Sequence, residues 1–204
     1  MRRFTTKLAM GLAGLGLISA APVAAQRMSE GFEFLKAVKE RDGSKVTASL
    51  DRPGTTVVNT RDVSSGEGAL HIVVQRRDNA WLQFLLAKGA NPNIADARGI
   101  TPLQIASGLG WVEGVELLVK KGASIDSANL TGETSLIAAV HRRDLVLVKA
   151  LLKGGANPDR SDNSGRSARD YAALMGPQNE IAAELDRASA ERKARATKAY
   201  GPGI

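Results

Sequence analysis

Cysteine is absent from this 204-residue chain, and aromatic residues make up only 4% of it. Without cysteine the chain forms no disulfide and no thiolate zinc site. Histidine is nearly as scarce, since His71 and His141 are the only two, so a histidine metal site is not expected. Stability must therefore come from the packing of aliphatic side chains, and we expect no cofactor.

The net positive charge of the chain comes from its two ends. The formal net charge is +7, yet the segment 26–186 carries twenty basic and twenty acidic residues. Because this body is neutral, we expect no nucleic-acid partner. The segment 187–204 predicts a solvated helix end that frays into a basic, flexible tail over 189–204. An alternative stays open, in which this tail attaches the protein to an anionic membrane or nucleic acid.

The first 25 residues have the pattern of a secretory signal peptide. A basic start with Arg2, Arg3 and Lys7 precedes the apolar run LAMGLAGLGLISAA, and small residues stand at Val23 and Ala25. The apolar run is shorter than the roughly 20 residues that a membrane span needs. We therefore expect cleavage after Ala25, a periplasmic or secreted protein, and no stable membrane insertion. An uncleaved membrane anchor is the alternative.

The rest of the chain repeats itself with a period of 33 residues. Two sets of glycines follow this spacing: Gly66, Gly99, Gly132 and Gly165, and Gly89, Gly122 and Gly155. The second set opens the phrases GANPN, GASID and GANPD, and the stretches LQFLLAKGA, VELLVKKGA and VKALLKGGA align without a gap. A fixed period of this length predicts an array of stacked structural units.

These phrases resemble the ankyrin repeat, whose pattern runs G-x-T-P-L-H-x-A-A and then V-x-L-L-L-x-x-G-A-D-x-N. The nearest copy contains Gly99, Thr101, Pro102, Leu103 and Ala106. The resemblance implies an all-α solenoid of stacked helix-turn-helix units joined by β-hairpin loops. On this register the chain divides into a signal peptide (1–25), an N-terminal capping repeat (26–62), full repeats (63–95, 96–128 and 129–161), a C-terminal capping repeat (162–188) and the basic tail.

Local patterns agree with this register. Leu82, Leu85 and Leu86 have the i, i+3, i+4 spacing of a helix that buries one stripe. Arg77 and Arg143 stand where the repeat usually has a glycine between its two helices. Their cations are expected to meet the carbonyl end of the first helix, and Asp78 and Asp144 are expected to cap the second helix.

Catalytic residues are not expected. The resemblance implies that His71 hydrogen-bonds the backbone of the neighbouring hairpin. Gln104, Ile137 and Asp170 occupy the same position in the other repeats, so this network is predicted to be eroded there. No serine, histidine and carboxylate form a recognisable triad.

The resemblance also implies a non-enzymatic protein–protein interaction module, monomeric, that acts as an adaptor, stabiliser or inhibitor of another protein. Partners of this family meet the hairpin tips and the exposed, concave side of the first helices. Carried over by position, the candidate partner-binding residues are Glu67, Gln75, Arg76, Arg98, Ile100, Leu109, Trp111, Leu130, Glu133, His141, Arg142, Arg166, Leu174 and Met175. Packing between adjacent layers is the alternative for the apolar members, including Trp111.

Overall fold

The computed structural model describes residues 23–176 and 179–199. They form ten α-helices: α1 (Val23–Glu40), α2 (Gly43–Leu50), α3 (Ala69–Gln75), α4 (Asn79–Ala87), α5 (Pro102–Gly108), α6 (Val112–Lys120), α7 (Ser135–His141), α8 (Leu145–Lys153), α9 (Ala168–Ala173) and α10 (Glu180–Ala199). A 3-10 turn at Val57–Asn59 follows α2. In these ranges no helix is long and apolar enough to cross a bilayer. Residues 1–22 of the predicted signal peptide and 200–204 of the predicted tail lie outside the described residues.

The helices stack in pairs. The first helices contact one another in the order α3, α5, α7 and α9, and the second helices in the order α4, α6, α8 and α10. No strand forms in the described ranges. Isolated bridges such as Arg61 to Gly68 and Ser161 to Ser167 close tight loops between the pairs. The all-α solenoid is confirmed, with hairpin loops reduced to single bridges.

Small side chains of the first helices and leucines of the second helices share the core. The first helices bury alanines at equivalent positions, such as Ala106 and Ala139, and the second helices bury Leu85, Leu118 and Leu151 completely. Alanine lets adjacent first helices approach closely. The leucine stripes bury apolar surface, and each Å² removed from water stabilises the fold by about 25 cal/mol. Since each pair covers its neighbour, no pair has a core of its own.

The sharp joint between the two helices of a pair is built by arginine and aspartate. Arg41, Arg77 and Arg143 adopt positive φ angles of 60°, 54° and 55°, and glycines with positive φ, Gly110 at 65° and Gly176 at 107°, lie between the helices of the other two pairs. The side chains of Asp78 and Asp144 accept hydrogen bonds from Trp81 N and Leu147 N, which confirms their role as caps. A left-handed backbone costs a non-glycine residue about 1–2 kcal/mol, so these joints are held by the packing around them.

The arginine cations bond differently from the prediction. The guanidinium of Arg77 donates to the carbonyl oxygen of Leu109, which ends the first helix of the next repeat. Arg41 forms an ion pair with Asp78 at 3.0 Å, again one repeat further along. The turns are therefore linked to one another along the stack. Contacts of this kind join residues more than 30 positions apart, so a local helix-capping rule does not find them.

The C-terminal end also differs from the prediction of a flexible tail that begins at residue 189. Helix α10 runs without interruption through that boundary to Ala199. Ser189 is only 3% exposed, and its hydroxyl donates to Asp159 Oδ2 at 2.6 Å. Alanine, glutamate, lysine and arginine, which dominate this segment, are strong helix formers, and neither glycine nor proline interrupts it.

A row of side chains ties the loops after the second helices together; we call Asn59, Asn93 and Asp126 the loop ladder. Asn59 Oδ1 accepts from Asn91 N at 2.7 Å, and Asn93 Oδ1 accepts from Ser124 N at 2.7 Å. Asp126 Oδ1 accepts from Asn157 N at 2.8 Å. Each bond joins one repeat to the next, so the stack has a fixed spacing along this edge.

Candidate partner-binding surface

The tips of the hairpin loops form one continuous surface, which we call the tip row. Backbone hydrogen bonds join successive tips: Ala97 N donates to Ser65 O at 2.9 Å, Leu130 N to Arg98 O at 3.4 Å, and Asn163 N to Thr131 O at 3.1 Å. These loops are thus fixed relative to one another before any partner arrives. A preorganised surface loses little conformational freedom on binding.

Carboxylates inside the hairpins hold the tips in shape. Asp62 Oδ1 accepts bonds from Ser64 N and Ser65 N, both at 2.9 Å, and Asp162 Oδ1 accepts from Ser164 N at 2.8 Å. Hydrogen bonds from Ser64 hold the pKa of Asp62 well below its usual range, and a bond from Tyr171 does the same for the pKa of Asp162. Both groups are therefore ionised structural acceptors.

His71 is a structural residue, as the resemblance implied. It is fully buried, its Nδ1 accepts from Gly68 N at 3.0 Å, and its Nε2 lies 3.0 Å from the carbonyl oxygen of Ile100. Because Nδ1 is the acceptor, the proton sits on Nε2 and is donated to Ile100. Burial lowers the pKa of His71 and keeps the imidazole neutral.

The predicted erosion of this network is only partly right. Gln104 repeats it, since its Oε1 accepts from Thr101 N at 2.9 Å and its Nε2 donates to Glu133 O at 3.0 Å. An amide has one acceptor and one donor end, as a neutral imidazole does. Ile137, with no polar atoms in its side chain, cannot make these bonds and is instead fully buried.

Four of the predicted surface residues form two matching pairs. Gln75 Nε2 donates to Glu67 Oε1 at 2.8 Å, and His141 Nδ1 lies 3.2 Å from Glu133 Oε1. Each pair links a first helix to the hairpin that precedes it. In the repeat between them Gly108 stands in place of Gln75 and His141, which leaves a position without a side chain between two polar pairs.

An aromatic cluster covers the last two repeats. The ring of His141 meets that of Tyr171 edge to face at 4.5 Å, and Arg166 lies 5.9 Å from the centre of the Tyr171 ring. The Tyr171 hydroxyl donates to Asp162 Oδ2 at 2.6 Å. Sequence reasoning missed Tyr171, because Ile105 and Ala138 fill its position in the other repeats and suggest a packing residue.

Exposure separates the apolar candidates. Leu130 and Leu174 are 71% and 72% exposed, whereas Ile100, Leu109 and Met175 are half-buried. Leu130 belongs to the tip row, and Leu174 follows the end of α9. The two leucines are therefore freely presented, as is Arg98, whose guanidinium also bonds the buried carboxylate of Asp96 at 3.1 Å.

Two of the predicted surface residues are placed differently, since Trp111 is buried and Arg76 half-buried, and a third, Arg142, is exposed but bonded to the scaffold. Trp111 is only 8% exposed and belongs to the core, where its ring lies against Gly114. Arg76 NH1 donates to the carbonyls of Val38 and Lys39 at 2.8 and 3.2 Å, at the end of α1. Arg142 NH1 donates to Gly108 O at 2.8 Å. Both arginines thus cap the first helix of the preceding repeat, because that helix ends with carbonyls that lack helical partners.

Stacked helix pairs, linked tip by tip and loop by loop, define a solenoid repeat protein. Family models for ankyrin repeats match this chain twice: a model for three copies over residues 34–129 and a single-repeat model over 131–163. The chain belongs to the ankyrin repeat family. Ankyrin repeats are protein–protein interaction modules, and the proteins that contain them are generally not enzymes.

Proposed function

We propose that this protein is a non-enzymatic, monomeric interaction module that is exported to the periplasm or secreted. It acts there as an adaptor, stabiliser or inhibitor of another protein, which it binds through the tip row and the exposed side of the first helices. The observation that carries this proposal is that the last two repeats present both exposed leucines, Leu130 and Leu174, and the His141–Tyr171 ring pair.

The chemistry of this group suits a protein partner. Tyrosine and arginine dominate the binding energy of protein interfaces, and Tyr171 and Arg166 stand together here. The exposed Leu130 and Leu174 of the same two repeats supply apolar area that a partner can cover. The hydrogen bond from the Tyr171 hydroxyl to Asp162 fixes the ring, so binding does not have to order it.

Crosslinking at chosen positions tests the surface. A photo-reactive amino acid is placed in living cells at Leu130, at Leu174 or at Val146, which is 66% exposed but lies on α8 among the second helices. We expect the same crosslinked protein from Leu130 and Leu174, and none from Val146. Capture from all three sites, or from Val146 alone, would exclude the proposed surface.

The variants L130S and L174S test the same surface by affinity once that partner is purified. Removal of a buried leucine contact lowers affinity by about tenfold or more. V146S is the matched control and should bind as the wild type does. Equal losses in all three variants would contradict a binding face on the first helices.

Export is supported by the basic, apolar and small-residue pattern of the first 25 residues. The test is the N-terminal sequence of the protein purified from a periplasmic fraction. We expect Gln26 as the first residue. A protein that retains Met1 and fractionates with the membrane would support the uncleaved anchor instead.

A further inference from the structure

A groove of about 440 Å³ separates α8 from α10, on the side of the molecule formed by the second helices. Its charged side chains are mostly cationic, namely Lys149, Lys153, Arg187, Arg192 and Arg195, against the two carboxylates Glu184 and Glu191. The repeats as a whole are neutral, so this excess of positive charge is local.

The two carboxylates neutralise only part of this charge. Glu184 is shared by Lys149 at 3.6 Å and Arg187 at 3.4 Å, and Glu191 pairs with Arg195 at 3.8 Å. Lys153 makes no ion pair with any residue in the described ranges. Pairs this exposed are weak and exchange readily with other anions.

Helix α10 continues past its contacts with the loop after α8. Its residues Ser189 and Arg192 bond Asp159 and the carbonyl oxygen of Gly155, and the helix continues seven residues beyond Arg192 to Ala199. At 1.5 Å per residue this extension is about 10 Å long. Lys120 and Lys121 lie at the end of α6, whereas Glu116 stands where α8 has Lys149, so this edge of the neighbouring repeat has two cations and one carboxylate.

We propose that this basic edge, defined by Lys120, Lys121, Lys149, Lys153, Arg187, Arg192 and Arg195, docks the protein on a membrane surface of anionic phospholipids. Long, flexible cationic side chains on three successive second helices, α6, α8 and α10, suit many shallow contacts with headgroups. The described part of α10 has no aromatic residue on which a nucleic-acid base could stack. Binding here goes beyond the proposed function, because it leaves the tip row and the first helices free for a protein partner.

The test measures binding of the full chain to vesicles of phosphatidylcholine alone and of equal parts phosphatidylcholine and phosphatidylserine. The quantity compared is the ratio of the two affinities, since apolar insertion of any segment contributes to both. The groove variant is K153Q/R187Q/R195Q, which keeps Arg192 because that residue also bonds a backbone carbonyl. The matched control is K36Q/K39Q/K45Q, which removes the same charge from the opposite end of the stack.

We expect the wild type and the control variant to prefer anionic vesicles, and the preference to weaken with added salt. Each lysine or arginine near such a surface contributes about fivefold, so the groove variant should lose on the order of a hundredfold of the preference. Unchanged capture of the protein partner by this variant would show that it remains folded and that the two sites are separate.

Four results would overturn the proposal. They are equal affinity for both kinds of vesicle, an equal loss in the control variant, displacement by inorganic phosphate at constant ionic strength, and tighter binding of a duplex oligonucleotide with the same dependence on the three cations. Phosphate displacement would indicate a site for a small anion, and the oligonucleotide result a nucleic-acid site. None of them bears on crosslinking at Leu130 and Leu174.

Discussion

The guanidinium of Arg192 donates a hydrogen bond to the carbonyl oxygen of Gly155 at 3.1 Å. In the earlier repeats an asparagine of the loop ladder makes the equivalent bond, from Asn59 to Gly89 O at 3.3 Å and from Asn93 to Gly122 O at 3.0 Å. Asp126 follows in the ladder, but a carboxylate has no N–H to donate. Helix α10 therefore supplies the donor that the third position lacks.

Truncation after residue 188 should destabilise the protein, because it removes both Arg192 and the Ser189 hydroxyl that bonds Asp159. Hydrogen bonds to charged groups contribute about 1.5–3 kcal/mol each, so we expect a loss of about 2 kcal/mol or more. Urea unfolding followed by circular dichroism measures it. The control ends after Arg195, which keeps both bonds, and equal midpoints for the two truncations would contradict the role of α10.

Replacement of His71 should depend on whether the new side chain can both accept and donate. H71L leaves the buried Gly68 N–H without a partner, which costs about 1–3 kcal/mol. It also removes one of the two bonds to the carbonyl oxygen of Ile100, which keeps its bond from Asp96 N at 2.8 Å. H71Q should retain most of the stability, because Gln104 makes the same two kinds of bond in the next repeat. Chemical unfolding compares the variants, and an equal loss from both would show that the side chain's bonds are unimportant.

Stability should fall in mild acid because of His71. Burial lowers its pKa below the usual 6.5 in the folded chain. Below pH 6.5 the unfolded chain takes up a proton that the folded chain does not bind, so the free energy of unfolding decreases as the pH falls. Between pH 7.5 and mild acid, the free energy of unfolding should therefore decrease more steeply with falling pH for the wild type than for H71Q, which has no titrating group at this position. Parallel curves would contradict a neutral, buried imidazole.

Two glycines with similar backbone angles should respond differently to alanine. Gly122 and Gly132 have φ angles of 88° and 81°, so either substitution incurs about 1–2 kcal/mol of left-handed strain. A Cβ at Gly122 meets open space, but at Gly132 it would lie 2.5 Å from Asn163 N in the tip row. G132A should therefore lose about 1–3 kcal/mol more than G122A. Thermal melting of the two variants checks this, and equal shifts would speak against a closely packed tip row.

Replacement of Gly114 by alanine sets two effects against each other: a gain in helix propensity and a clash with a neighbouring side chain. Alanine is better than glycine inside a helix by about 1 kcal/mol, and Gly114 lies within α6. A Cβ there would lie 2.2 Å from the ring of Trp111, and overpacking of a buried ring costs about 1–3 kcal/mol. We expect G114A to be destabilised despite its propensity. A more stable G114A would mean that the indole ring moves aside easily.

The repeat register, the helix pairs and the aspartate caps were predictable, because they follow from patterns within 33 residues. Contacts between repeats were not. The repeat register alone makes Trp111 a surface candidate, since nothing in the local pattern shows that Gly114 leaves room for its ring. The bonds of Arg76 and Arg142 depend on which carbonyls the preceding helix presents.

The candidate surface likewise contains residues that the sequence identified and residues that it did not. Leu130 and Leu174 were found because they are apolar at positions where the scaffold needs no apolar residue. Tyr171 was missed, since only the fold brings its ring against His141. The charge of the segment that forms α10 suggests a solvated tail. The spacing of Ile181, Leu185 and Ser189 nevertheless marks a buried face, which packs on α8 and the loop after it.

The bond from Arg192 to Gly155 also limits how this array can grow. A further repeat inserted after the third would need the carbonyl of Gly155 and the carboxylate of Asp159 for its own loop, and α10 already occupies both. A unit inserted at that junction would leave the guanidinium and the serine hydroxyl without their acceptors unless its own loop offers a carbonyl and a carboxylate at the same two positions. Copies of the second and third full repeats meet both conditions, since they have Asp126 and Asp159 there, whereas a copy of the first would place Asn93 at the carboxylate position.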